Sequence, residues 1–64
     1  MAADSEAYRL KAEELREKAS DIIRRLHLFD NPANRATMED IACKYERLAT
    51  ELDQIADIRA KLGR

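Results

Sequence analysis

The chain has 64 residues, 12 lysines and arginines against 13 aspartates and glutamates, and a single glycine, proline, cysteine and histidine. A chain this short makes one domain, and its near-neutral charge disfavours nucleic acid or anionic lipid as a partner, because both are normally met by a basic excess. One cysteine and one histidine provide neither an intrachain disulfide nor zinc-ligand spacing. We therefore predict one domain with no metal and no cofactor.

Small scaffolds without a disulfide or a metal usually need a partner chain to remain ordered. The sequence has neither a secretory signal pattern nor a run of about 18 apolar residues, so we expect a cytoplasmic protein that spans no membrane. With one glycine it also lacks a phosphate-binding loop, and no catalytic set of side chains is evident. We expect a protein that is not an enzyme and has no small-molecule substrate.

The first predicted element is a helix over about residues 5–28, followed by a turn over about residues 29–31. The turn is indicated by Asn31 and Pro32, since asparagine caps a helix and proline is accepted in its first turn. The second helix is predicted over about residues 32–62 and ends before Gly63. Thr37 and Asp40 match a capping box, which leaves open a later start for this helix.

Both helices carry apolar residues at alternating spacings of three and four, which keeps them on one side of a helix. This pattern predicts an all-α, antiparallel two-helix hairpin. The predicted seam between the helices is formed by Tyr8, Ala12, Leu15, Ala19, Ile22, Leu26, Met38, Ile41, Tyr45, Leu48, Leu52 and Ile55.

Helix 2 has a second row, Ala42, Ala49 and Ala56, beside the predicted seam. The combined apolar surface is too wide for one neighbouring helix to cover. We therefore predict that this row, together with Ile23, forms a self-association surface, and that two copies pair into a dimeric four-helix bundle. A different protein partner is the alternative that the sequence leaves open.

Charged residues flank the predicted seam and suggest its register. Arg9 and Arg16 lie on one side of helix 1, and acids recur every seven residues on helix 2. We expect these groups to pair within or between chains, setting register rather than supplying much stability. The helix 2 acids are Glu39, Glu46 and Asp53.

Three polar features of the sequence are candidate functional sites. Cys43 is expected on the outer side of helix 2, where acids offset the neighbouring cations, so we interpret it as an unreactive thiol. His27 suits the end of helix 1, where a cation complements the helix dipole. Arg24, Arg25 and Arg35 make the hairpin tip basic, and the alternative function is a small RNA- or DNA-binding regulator that uses this tip.

One resemblance extends over residues 8–52. It is carried by Tyr8-Arg9, Ala12-Glu13, Leu15-Arg16, Ala19, Asn31-Pro32, Arg35, Met38, Ile41-Ala42 and the run Tyr45-Glu46-Arg47-Leu48-Ala49. The pattern resembles short bacterial helical-hairpin proteins of uncharacterised function, and the resemblance implies a hairpin without an assigned activity. The layout is also similar in architecture to Rop-type plasmid copy-number regulators, which are RNA-binding dimeric bundles. Such proteins present a basic face to RNA, whereas the outward face of helix 1 carries Glu13, Glu14, Glu17 and Asp21.

Taken together, these features predict a non-enzymatic, self-associating helical module, most simply a homodimer, that acts in structural or regulatory protein–protein interaction. Near-neutral charge should let it pass through a polyanion column, whereas a nucleic-acid regulator would be retained in a salt-dependent way.

Overall fold

The structure is a helical hairpin, described by a computed structural model that covers residues 2–63, with side chains for residues 5–63. Helix α1 spans Ala2–Arg25, a 3₁₀ turn follows at Leu26–Leu28, and helix α2 spans Pro32–Leu62. The predicted all-α fold of two packed helices is confirmed. The helices are antiparallel, since the start of α1 meets the end of α2, where the Ser5 hydroxyl donates to the Ala56 carbonyl at 3.1 Å.

The connection between the helices is short because side chains satisfy its backbone groups. The Asn31 side chain accepts from the Ala33 N–H at 2.8 Å, and Pro32 follows in the first turn of α2. On the other side of the turn, the Arg35 guanidinium donates to the Phe29 carbonyl at 2.7 Å. The start of α2 is thus fixed at Pro32, and the alternative start at the capping box is wrong.

The ends of α1 differ slightly from the prediction. The α-helix begins three residues before the predicted start at Ser5 and ends at Arg25, and the last predicted turn is 3₁₀ instead. The Phe29 N–H donates back to the Leu26 carbonyl at 3.1 Å, a tighter closure that is common at helix ends. The predicted end of α2 at Leu62 agrees with the structure.

Small residues line the contact between the two helices. The buried positions of α1 include Ser5, Ala12 and Ala19, spaced by seven residues, and those of α2 are Ala42, Ala49 and Ala56. The Cα trace is 13 Å wide, so subtracting two helix radii of about 2.3 Å leaves roughly 8 Å between the axes. This is the short end of the usual range for packed helices, and the small side chains permit it.

Bulkier side chains pack around these alanines. Ala12, Leu15 and Ala49 form the buried cluster, and partly buried Tyr45 and Leu52 lie against it. Within the described part of the chain, no large side chain is less than 2% exposed. The hairpin alone therefore has a very small core, and much of its apolar surface remains in contact with solvent.

The seam prediction is wrong about the rotation of α2. Ala42, Ala49 and Ala56 were predicted to face a second copy, but α1 already covers them and they are at most 1% exposed. Leu48 and Ile55 were predicted to face α1 and are exposed. The physical reason is the close approach of the axes, which small residues on both helices allow and which a leucine row between the helices would prevent. The other predicted seam residues are buried or partly buried.

Candidate self-association surface

The flat hairpin has two broad faces, and one of them is closed by ion pairs. Arg9 bonds Asp57 at 2.7 Å and Arg16 bonds Asp53 at 2.6 Å, both between the helices. We call this side the ion-paired face. The predicted pairing of Arg16 with an acid of the heptad row is confirmed at Asp53, while Arg9 uses Asp57, one turn further along α2.

Ile23 lies on the ion-paired face. It is half exposed and lines an open pocket of about 250 Å³ with Arg16, Ser20, Glu46 and Thr50, above the buried Ala19. Ile23 follows Arg9 and Arg16 in the same heptad row, so an apolar side chain stands where the next arginine of the row would be. The structure therefore does not bring Ile23 together with the exposed apolar row of α2 described next.

The opposite broad face carries an uninterrupted apolar row along α2. Ile41, Leu48, Ile55 and Leu62 follow one another at seven-residue spacing, and the last three are 48%, 38% and 79% exposed. Ile58 lies beside this row and is 56% exposed. We call this side of the hairpin the apolar face.

A layer of half-buried side chains lies between this row and the alanine seam. Tyr45 and Leu52 occupy the heptad positions between the two rows on α2, and Tyr8 and Ile22 occupy the equivalent positions on α1. All four are only partly buried, whereas the alanines beside them are covered. A surface placed on the apolar face would therefore cover a second apolar layer as well as the exposed row.

The α1 edge of the apolar face is basic. Lys11, Lys18 and Arg25 recur there at heptad spacing, and Lys11 pairs with Glu14 at 3.5 Å. On the α2 edge, Lys44 pairs with Asp40 at 3.2 Å. These pairs are exposed and lie within single helices, so they do not hold the hairpin together.

The arginines of the basic tip have two different roles. Arg35 is held by its bond to the Phe29 carbonyl and stabilises the turn. Arg24 and Arg25 are exposed in the last turn of α1, where cations favour the helix dipole. His27 is exposed in the following 3₁₀ turn.

Cys43 is a free, exposed thiol. Among the side chains of residues 5–63, no three His, Cys, Asp or Glu are grouped so that they could hold a metal ion. Neither described helix is long and apolar enough to cross a membrane.

Sequence reasoning missed two exposed apolar residues, Leu28 and Ile58. Neither belongs to the seven-residue row from Ile41 to Leu62, so the spacing of that row gave no signal for them. In comparisons with known proteins, no family model, curated protein or solved structure matches this chain. The two resemblances drawn from the sequence therefore stay predictions.

Proposed function

We propose that this chain is a self-associating helical module, a homodimeric four-helix bundle that acts through protein–protein contact. The supporting observation is the exposed row Leu48, Ile55 and Leu62, with half-buried Tyr45 and Leu52 beneath it. Contiguous exposed apolar surface on a soluble chain marks an interaction site. A second copy supplies a surface of the same shape and chemistry without any further component.

The dimensions of the hairpin support the same proposal. The Cα trace is 51 Å long and 13 Å wide, so one broad face is on the order of 700 Å². Stable interfaces typically cover about 600–1,000 Å² on each partner. The apolar face is thus large enough for a dimer, provided that the two copies overlap along most of their length.

The experiment compares two leucine variants by sedimentation equilibrium. Leu48→Glu places a charge in the middle of the apolar row, and we expect it to weaken dimerisation by about a hundredfold, because a carboxylate would be buried in each copy. Leu10→Glu is the matched control, since Leu10 lies on the outer side of α1 and is 61% exposed. We expect the control to associate like the unmodified chain. Equal association of the two variants would contradict the proposal.

A further inference from the structure

We infer that the second copy packs antiparallel on the apolar face, with the two-fold axis beside Leu48. Each hairpin tip then lies over the open end of the other hairpin. This inference rests on the proposed function and specifies the partner, its direction and its register.

The positions of the exposed apolar residues support this register. An axis at Leu48 places Leu48 against Leu48 of the second copy. It also places Ile41 against Ile55 of the second copy, because Ile41 and Ile55 both lie seven residues from the axis. Leu28, at the tip, is 66% exposed, and Leu62, at the open end, is 79% exposed. These two residues lie at opposite ends of a 51 Å hairpin, and full antiparallel overlap brings Leu28 of one copy to the same end of the dimer as Leu62 of the other.

The charges beside the row are complementary in the same arrangement. Lys44 precedes Leu48 by four residues and Glu51 follows it by three, so the axis places Lys44 within one residue, about 1.5 Å along the helix, of Glu51 of the second copy. This pairing occurs twice in the dimer, as the symmetry of such an interface requires.

A parallel pairing lacks these matches. A two-fold axis along the hairpin lays each α2 over α1 of the second copy, so Lys44 no longer meets Glu51, and the tip and open end stay at opposite ends of the dimer. The pairing of Lys44 with Glu51 therefore favours the antiparallel direction, whereas the apolar row provides most of the affinity.

A charge-reversal experiment tests this arrangement. Lys44→Glu and Glu51→Lys each turn two attractive contacts of the dimer into repulsive ones, so each variant alone should dimerise roughly tenfold more weakly than the unmodified chain. An equimolar mixture should regain near-original affinity as a heterodimer, since every reversed side chain then faces its opposite. Mixing leaves each variant's contacts within its own chain unchanged, so recovery can arise only between chains.

Disulfide formation gives a second, independent measurement. In a Cys43→Ser background, Leu48→Cys should form a covalent dimer rapidly under mild oxidation, because the two sulfurs meet at the axis. Leu10→Cys, in the same background, is the control and should crosslink at least tenfold more slowly.

The outcomes separate this inference from the proposed function. An unmodified chain that sediments as a monomer would overturn both. If the unmodified chain dimerises, but the mixture fails to recover affinity or Leu48→Cys crosslinks no faster than its control, self-association stands and this arrangement is wrong. Recovery in the mixture together with rapid crosslinking at Leu48 supports the arrangement.

Discussion

The two broad faces of the hairpin differ in what covers the apolar seam between them. On the ion-paired face, Arg9 and Arg16 of α1 reach acids of α2, and the alanine row beneath is fully buried. On the apolar face, no salt bridge of the described residues links the two helices, and Tyr45 and Leu52 remain partly exposed. One face is thus closed by ion pairs between the helices. On the other face Arg59 lies over the Tyr8 ring at 5.4 Å, and the exposed apolar row beside them has no cover within the chain.

The difference shows how a short chain divides its stabilising interactions. Alanines let the helices approach closely but bury little area, and burial contributes about 25 cal/mol per Å². The larger apolar side chains are placed on the face away from the ion pairs, where they are available to another molecule. We therefore expect stability and association to be linked in this chain, since a partner on the apolar face would cover residues that a larger domain buries internally.

The largest loss of stability is expected from a substitution in the buried alanine row between the two helices. Ala49 is fully buried against Ala12 and Leu15, so Ala49→Glu must separate the helices and bury a charge. We expect a loss of about 3 kcal/mol or more and a strong fall in helicity by circular dichroism. Raising the protein concentration should not restore the helicity, because the substitution disrupts the packing of the two helices within one chain.

Ala36→Glu is the control for this prediction, since Ala36 is exposed on α2. It should keep near-original helicity, as an exposed helical alanine accepts glutamate at a cost of a few tenths of a kcal/mol. If Ala49→Glu behaved like Ala36→Glu, the placement of the alanine row inside the hairpin would be wrong.

A smaller loss of stability is expected from breaking one ion pair on the ion-paired face. Asp53→Asn removes the partner of Arg16, and both side chains are partly exposed, so unfolding should become easier by about 0.5 kcal/mol at low salt. High salt should remove most of this difference, because it screens the original pair. Thermal melts at two salt concentrations measure both values. A loss of dimerisation in this variant, with helicity retained, would show that the ion-paired face also takes part in association.

The smallest effect is expected at Cys43, which is exposed on the ion-paired side of α2. Cys43→Ser should change the free energy of unfolding by less than about 0.5 kcal/mol and leave association unaltered. Thermal melts and sedimentation equilibrium measure these quantities. A clear change in either one would show that the thiol has a structural role.

The sequence predicts the helices and their turn well because their signals are local. Asn31 and Pro32 specify where α2 begins, and the heptad spacing identifies the apolar side of each helix. The pairing of Arg16 with an acid also follows from spacing alone, since residues seven apart recur on the same side.

The rotation of α2 is harder to predict because two heptad rows are adjacent in sequence. Ile41 and Ala42, Leu48 and Ala49, and Ile55 and Ala56 are neighbours, and hydrophobicity alone assigns the larger residue to the seam. Close packing of the backbones favours the smaller one. The row Ser5, Ala12 and Ala19 on α1 carried the missing information, since small residues on both helices permit a shorter distance between axes than a leucine row allows.

The central claim is that a second copy covers the apolar face. Sedimentation equilibrium of the unmodified chain over a range of micromolar concentrations tests it most directly. We expect a mass that approaches twice the 7.4 kDa of one chain, with helicity rising as the dimer forms. A fully helical species that keeps the mass of a single chain at every concentration would contradict it.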